Sequence, residues 1–176
     1  MKTIKFLAVV LLAAVAAMAK AQTYSDHINL GVGAYYERQL DGTFAYEHET
    51  KYHNSWEYFF NYSIKYDKDE EAGHYTKKSF WHSYNAWGLG IACKPCINRG
   101  RNHHGNLRLG ASLGGAKEYE GESKFHGDLH LGYEHSYQLR QGWHLYWQAK
   151  TDMSINGKDL LRVGVALGIK LPLGRR

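Results

Sequence analysis

The chain has 176 residues, with 22 lysines and arginines, 17 aspartates and glutamates, and a mean hydropathy of −0.54. This length suits one domain, the negative hydropathy argues against a bundle of membrane-spanning helices, and the basic residues form no concentrated face for nucleic acid. Fourteen tyrosines, five tryptophans and 19 glycines against two prolines favour a β-barrel, in which aromatic residues form interfacial girdles and glycines allow tight packing.

The amino terminus has the three parts of a secretory signal. A short basic stretch precedes an apolar run over residues 6–19, and a small-x-small cleavage site ends at Ala21. We therefore expect a cleavable signal peptide over residues 1–21 and a single β-barrel domain over residues 22–176. Cleavage would leave 19 basic and 17 acidic residues, so the mature chain would be nearly neutral.

Beyond the leader, apolar residues alternate with polar or small ones along eight segments, as in strands that have one apolar face. The last segment is the clearest, because six apolar side chains share one face while Arg162 and Lys170 lie on the other. Its 11 residues match a tilted strand that crosses a bilayer. The predicted strands are residues 27–37, 42–52, 55–66, 80–93, 106–118, 125–139, 143–155 and 161–171.

Turn-forming pairs at residues 41–42, 53–54 and 156–157 indicate hairpins between neighbouring strands. The sequence thus predicts an all-β fold, an eight-stranded antiparallel up-and-down (meander) membrane β-barrel preceded by a cleavable signal peptide. The leader and the strand lengths together predict an outer-membrane location, in contact with outer-membrane lipid.

The chain termini of such a barrel are expected to lie in the periplasm. The acidic loop at residues 67–73 and the loop at residues 117–124 then face outward. A cysteine-containing connector over residues 93–105 then lies on the periplasmic side.

Charged residues recur on the faces predicted to point into the barrel, where Glu47 and Glu118 also fall. An eight-stranded barrel has an interior that side chains just fill, and unpaired charges there are unfavourable. We therefore predict a structural ion-pair network, and consider a proton or solute path the lesser alternative. The predicted members of the network are Glu37, Glu57, Lys65, Arg108, Asp128, Glu134, Lys150, Asp152, Arg162 and Lys170.

Two cysteines, Cys93 and Cys96, are separated by a lysine and a proline. They are compatible with a disulfide or inert thiols, with a redox pair, or with half of a metal site completed by His103 and His104. A thioredoxin-type role needs a βαβ context, which the alternation pattern does not provide. We expect no bound metal or other cofactor, and regard these four residues as weak metal candidates only.

The pair His135 and Ser136, beside Glu134 and His130, suggests a lipid A-modifying hydrolase. Nucleophilic catalysis requires a serine and a histidine within hydrogen-bond reach. Because adjacent residues on a strand point to opposite faces, His135 and Ser136 cannot pair with each other. We therefore expect a protein without enzymatic activity and without catalytic residues.

Three parts of the chain carry a resemblance to a known family: the aromatic segment 55–62, the glycine-rich segment 106–115 followed by Glu118 and Tyr119, and the closing segment 161–170. Together they resemble the TraO-type conjugal transfer proteins of Bacteroidetes conjugative transposons. The resemblance implies a non-enzymatic outer-membrane component of a conjugative DNA-transfer apparatus. It would act through contacts with other conjugal transfer proteins and would not bind nucleic acid directly. The alternatives are an OmpX-like adhesion or envelope-stability barrel and a lipid A deacylase or acyltransferase.

Overall fold

The computed structural model describes residues 23–36, 38–50, 52–66, 84–118, 123–139, 142–155 and 160–173. Within these residues no helix is long and apolar enough to cross a membrane. The strands are β1 (Thr23–Tyr35), β2 (Gln39–Thr50), β3 (Ser55–Lys65), β4 (Tyr84–Lys94), β5 (Cys96–Arg99), β6 (His103–Glu118), β7 (Lys124–Gln138), β8 (His144–Ile155) and β9 (Leu161–Pro172).

All described strands belong to one antiparallel sheet in the order β4-β3-β2-β1-β9-β8-β7-β6-β5, and β4 also pairs with β6. This last pairing closes the sheet into a barrel. The short strand β5 continues β4, because Cys93 pairs with Leu109 and Cys96 pairs with Asn106 in the same register on β6. The circumference therefore has eight strands, which confirms the predicted eight-stranded antiparallel barrel.

The predicted connector at residues 93–105 is wrong. The chain continues as a strand across Pro95, and only residues 100–102 lie between β5 and β6. Pro95 has no N–H to donate, but its carbonyl accepts a hydrogen bond from the Leu107 N–H at 3.0 Å. The missing N–H of Pro95 therefore separates β4 from β5, but pairing with β6 continues on both sides of it.

The predicted turn at residues 41–42 is also wrong. Asp41 and Gly42 lie inside β2, where they pair with Gly33 and Val32 of β1. The β1–β2 turn comes earlier and includes Arg38, which has a φ of 56°. A non-glycine residue thus takes the left-handed conformation for which an Asp-Gly pair was expected.

The first and last strands of the barrel form a seam. β9 pairs with β1 from the Tyr35–Gly164 pair to the His27–Pro172 pair. Together with the β4–β6 pairing, this seam leaves neither sheet edge unpaired along these ranges, and closure of this kind removes the edges at which a sheet can add further strands.

The barrel is apolar outside and polar inside, which is the reverse of a water-soluble protein. Large apolar side chains such as Val32, Leu113 and Leu167 are 61–70% exposed on the outer face. The inner face buries charged and polar side chains, including His27, Asn29, Glu47, Glu57, Lys94, Asn106, Arg108, Asp128, Glu134, Lys150, Asp152, Arg162 and Lys170.

Several predicted features lie outside the described residues. They are the signal peptide at residues 1–21, the lumen candidate Glu37, the loop at residues 67–73 and the turn at residues 156–157. Most of the predicted loop at residues 117–124 lies outside them as well.

Glycines on the inner face make room for large aromatic side chains. A Cβ atom at Gly31 would overlap the hydroxyl of Tyr146, and the other atoms near it are at 3.5 Å or more. A Cβ atom at Gly42 would meet nothing within 4 Å, although this residue is also in a strand. Alanine substitutions at the two positions therefore distinguish the effect of overlap with an interior side chain from the general effect of adding a methyl group to a strand glycine.

We expect Gly31→Ala to lower the free energy of unfolding by about 1–3 kcal/mol, as overpacking does, and Gly42→Ala to be nearly neutral. Urea unfolding of the refolded protein in detergent micelles measures both. Adding Tyr146→Phe should relieve the defect of Gly31→Ala, because it removes the one overlapping atom. Equal stability of Gly31→Ala and the parent protein would contradict this packing.

Candidate functional site: the charged barrel interior

The centre of the interior is organised around Lys94, the last residue of β4. Its Nζ atom lies 2.6 Å from Glu47 Oε2, 3.1 Å from Glu57 Oε2 and 2.8 Å from Glu134 Oε1. The amine is fully buried, so its three donors are satisfied by carboxylates in place of water. Lys94 thereby links β4 to strands β2, β3 and β7.

Two further cations complete this central cluster. Lys170 Nζ lies 2.7 Å from Glu134 Oε1 and 2.9 Å from Glu47 Oε1. Arg108 reaches Glu57 Oε1 through Nη2 at 2.8 Å and through Nε at 2.9 Å. Three carboxylates thus face three cations, and their formal charges cancel. A buried cluster tolerates its desolvation only when the charges are matched and hydrogen-bonded in this way.

Neutral side chains complete the coordination of the central carboxylates. Asn29 Nδ2 donates to Glu47 Oε2 at 2.6 Å, and Ser55 Oγ donates to Glu47 Oε1 at 2.9 Å. The ring of Phe59 lies under the guanidinium of Arg108, with 4.4 Å from Cζ to the ring centroid. This cation–π contact explains how an aromatic residue fits on an otherwise polar inner face.

A second cluster contains Asp128 and Asp152. Arg162 Nη2 lies 2.9 Å from Asp128 Oδ1 and 3.8 Å from Asp152 Oδ2. The Tyr35 hydroxyl donates a hydrogen bond to Asp152, and His126 Nε2 contacts Asp128 Oδ2 at 2.8 Å. One arginine therefore serves two carboxylates, and neighbouring neutral or titratable groups bind their remaining oxygens.

The pair of Lys150 and Asp41 extends this second cluster. The Lys150 Nζ atom lies 2.6 Å from Asp41 Oδ2 and 4.6 Å from the ring centroid of Tyr35. The ring of Tyr35 also lies 5.4 Å from Arg162 Cζ. The aromatic ring thus contacts both cations, and its π-face offsets part of their charge.

Ser112, His130 and Asp152 are arranged like a catalytic triad. Ser112 Oγ is 2.8 Å from His130 Nε2, and His130 Nδ1 is 2.7 Å from Asp152 Oδ1. This is the order of contacts that activates a serine nucleophile. All three side chains are buried in the barrel interior.

The neighbouring interior is closely filled. The cavity lined by Glu57, Arg108, His130 and Tyr146 measures ≈ 20 Å³, which is room for about one water molecule. A water-filled channel needs a far larger continuous space, so the described interior is packed, as expected for eight strands.

The structure places most of the predicted network residues in these two clusters. Glu37 lies outside the described residues, and Lys65 is half-buried at the end of β3, opposite Tyr84. The remaining eight form the ion pairs just described: Glu57, Arg108, Asp128, Glu134, Lys150, Asp152, Arg162 and Lys170.

Two ion-paired residues, Lys94 of the central cluster and Asp41 of the second cluster, are not among the residues that the sequence predicts to point inward. Lys94 lies between the cysteines, in the segment assigned to a connector, although the alternation of β4 from Ala86 through Ala92 already places it on the inner face. Asp41 was assigned to a turn because glycine follows it. In both cases a local motif, the spacing of the two cysteines or the Asp-Gly pair, predicts a loop where the chain continues as a strand.

The four weak metal candidates do not come together. Cys93 and Cys96 are free thiols. His103 stacks on His135, with 5.2 Å between ring centroids, whereas His104 is buried and stacks on His53 at 4.5 Å. Adjacent strand residues point to opposite faces, so one site cannot use both His103 and His104.

His135 and Ser136, the pair that suggests a hydrolase, lie on opposite faces of β7. Ser136 is buried, with its Oγ 3.4 Å from Glu134 Oε1. His135 stacks on Trp147, with 6.0 Å between ring centroids, and the indole belongs to the exposed apolar face of the barrel. The triad-like contact involves Ser112, which the sequence did not single out.

No family model matches the chain, and no curated protein matches it. Among solved structures, it is similar to Neisserial surface protein A, with a TM-score of 0.53 and 12% identity over 84% of this chain and 94% of that one. It also aligns with a major outer membrane protein from Thermus thermophilus, with a TM-score of 0.49 and 12% identity over 84% and 99% of the two chains. The first likeness establishes the fold, a closed antiparallel β-barrel of the class found in outer-membrane proteins.

Replacing Lys94 by methionine should destabilise the barrel by about 3–5 kcal/mol, because three buried carboxylates then share two cations. Lys117→Met, at an exposed position on β6, should change little. Urea unfolding in detergent micelles measures both variants.

A double variant, Lys94→Met with Glu134→Gln, restores the charge balance of the central cluster. It should recover part of the lost stability. A Lys94→Met variant as stable as Lys117→Met would show that the central cluster does not depend on its charge balance.

Proposed function

We propose that this chain is an outer-membrane β-barrel with a sealed interior, which acts through contacts with lipid and proteins. The observation that carries the proposal is the inverted polarity of the barrel. Ion-paired side chains fill the inside, and an apolar surface covers the outside. Such a surface is unfavourable in water and favourable in a bilayer.

One part of the outer surface has a shape and a composition that also support contact with lipid. A shallow depression on the outer face is lined mainly by apolar side chains, among them Leu30, Phe44, Phe60 and Leu167, and by glycines. Its polar content is minimal, which suits acyl chains. An exposed apolar surface of this extent on a soluble monomer would instead promote aggregation.

The two ends of the barrel differ in the way that outer-membrane barrels do. The connections at the end that carries both termini are residues 51–54, 100–102 and 139–143. Those at the other end are residues 36–38, 66–83, 119–123 and 156–160, of which the connection from β3 to β4 is by far the longest. Outer-membrane barrels have short periplasmic turns and longer external loops. The proposal therefore assigns the terminal end to the periplasm.

The membrane location is tested by Leu167→Arg, with Ile97→Arg as the matched control. Both side chains are 62% exposed, but Leu167 is central in β9 whereas Ile97 lies near the turn at residues 100–102. In a bilayer, Leu167→Arg should cost about 2–4 kcal/mol and Ile97→Arg much less.

The measurement is folding into phospholipid vesicles, followed by the heat-modifiable shift in gel mobility. For a protein that folds in water, arginine at either exposed position would be tolerated equally. Equal effects, or a folded soluble monomer without detergent, would overturn the membrane location.

Within this class we propose a role as a non-enzymatic component of a conjugative DNA-transfer apparatus. The support is the resemblance of segments 55–62, 106–115 and 161–170 to TraO-type proteins, together with a described interior that offers packed ion pairs in place of an open site. The partners would be other conjugal transfer proteins, contacted through the loops or the membrane-facing surface.

Deleting the gene in a donor strain should lower the frequency of conjugative transfer, and the parent gene should restore it. Ser112→Ala should restore transfer as well as the parent does, because the proposed role uses no nucleophile. Unchanged transfer after deletion would remove the conjugative role. Failure of Ser112→Ala alone, with normal folding, would favour the lipid A-modifying alternative through the Ser112–His130–Asp152 contacts.

A further inference from the structure

A third polar cluster lies inside the barrel at the end that carries the termini, and it differs in chemistry from the other two. It consists of one carboxylate and four imidazoles, contributed by β1, β2, the β2–β3 turn, β6 and β8. The members of this histidine cluster are His27, Glu49, His53, His104 and His144.

Three members converge as metal ligands would. One ligand atom from each of Glu49, His53 and His104 lies within 4.8 Å of the other two. Glu49 accepts a hydrogen bond from His53 Nδ1. The His53 and His104 rings are nearly parallel, with 11° between their planes and 4.5 Å between their centroids.

The turn that carries His53 is held in an uncommon conformation. His53 has a φ of 59°, which is rare for residues other than glycine. Its N–H donates to the Thr50 carbonyl at 3.0 Å, and its own carbonyl accepts from Asn106 Nδ2 at 2.6 Å. These two contacts fix the turn so that the imidazole lies against Glu49 and His104.

Two further histidines approach the same place with ring nitrogens that lack a hydrogen-bond partner. His27 and His144 are 1% and 6% exposed, and the Nδ1 atom of each has no hydrogen-bond partner among the described atoms. His27 Nδ1 lies 3.6 Å from Glu49 Oε2, and the His144 ring lies edge-on to His104 at 5.6 Å. Unpaired buried polar atoms are rare, but the second cluster contains them as well, at Asp41 Oδ1, His126 Nδ1 and Arg162 Nε. The two nitrogens therefore add available ligand atoms to the place where Glu49, His53 and His104 meet, and they do not by themselves require a ligand.

The charge of Glu49 also bears on ligand binding. Glu47, two residues earlier, forms ion pairs with Lys94 and Lys170. Among the described residues, the ion-pair partners of Glu49 are the imidazoles of His27 and His53, and Ser25 Oγ donates a hydrogen bond to Glu49 Oε2 at 3.2 Å. The nearby cation Lys170 is paired with Glu47 and Glu134, so within the described part of the chain Glu49 has no lysine or arginine in contact with it and is suited to a bound cation.

We propose that Glu49, His53 and His104 bind a divalent transition-metal ion, with Zn²⁺ as the preferred ion and His27 or His144 able to supply a further nitrogen. Imidazole and carboxylate are ligands that Zn²⁺ accepts in tetrahedral sites, whereas Mg²⁺ and Ca²⁺ prefer oxygen ligands. With three protein ligands, a fourth position is open to water or to a donor from another molecule.

Binding requires a contraction of the cluster and a rotation of one imidazole, because the nearly parallel rings of His53 and His104 do not direct their in-plane lone pairs at one point. Zinc–nitrogen bonds of about 2.0–2.1 Å place tetrahedral ligand atoms about 3.3 Å apart, against the present limit of 4.8 Å. The side chain of His53 is 31% exposed on its turn, whereas the other ligands are buried within strands, so this rearrangement is assigned to His53. The bound ion would then join the β2–β3 turn to β6 at one end of the barrel.

The test uses the full chain without a histidine tag, refolded in detergent and treated with a chelator before titration with ZnCl₂. Isothermal titration calorimetry should give one Zn²⁺ per chain, and MgCl₂ should give no comparable heat. Co²⁺ in place of Zn²⁺ should produce the visible absorption of a tetrahedral site.

His104→Gln and His53→Gln should each weaken Zn²⁺ binding by at least tenfold. His103→Gln is the matched control, because this adjacent histidine stacks on His135 and points away from the cluster; its affinity should equal that of the parent. The heat-modifiable gel shift verifies that each variant folds, and His53 is on a turn, so its substitution is the least disruptive. Absence of Zn²⁺ binding by the parent, or equal affinities of the parent and both cluster variants, would overturn the site.

Discussion

Inside this barrel the amine of Lys94 is fully buried between three carboxylates. This contact illustrates a constraint on which the rest of the interior depends. Eight strands enclose a space that side chains just fill, so a charge that points inward cannot reach bulk water and must find an opposite charge on another strand. Lys170 and Arg108 bring the cations of the central cluster to three, matching Glu47, Glu57 and Glu134. The same ion pairs connect strands that are not neighbours in the sheet, and they therefore hold the barrel across its width as well as around its circumference.

The constraint also explains why the contacts of a catalytic triad occur in the described interior beside a cavity of only about 20 Å³. Ser112, His130 and Asp152 make the contacts of a triad, but Asp152 is also bound by Tyr35 and Arg162. In a packed polar interior each hydrogen-bonding group seeks a partner, and serine, histidine and aspartate satisfy one another in this order. Geometry of this kind indicates an active site only when space for a substrate accompanies it.

The histidine cluster differs from the rest of the interior in its cations. The two deeper clusters use lysine and arginine against their carboxylates, whereas the ion-pair partners of Glu49 among the described residues are the imidazoles of His27 and His53. The cluster lies next to the β2–β3 turn at the end that carries the termini. The proposed metal site is therefore separate from the ion pairs in the middle of the barrel. In the proposed membrane orientation, that end faces the periplasm and the outer face of the barrel faces lipid.

The local pattern of the sequence specifies the number of strands around the barrel and most of the side chains that point inward, because strand alternation is a local property of the backbone. The predicted strand at residues 55–66 differs by one residue from β3, and eight of the predicted lumen residues form the observed ion pairs. How those residues pair depends on the tertiary structure. The continuation of β4 across Pro95, the position of Asp41 within β2 and the meeting of Glu49, His53 and His104 follow from the register of all the strands together. Register is fixed when the sheet closes on itself, and closure is a property of the whole chain that no local pattern contains.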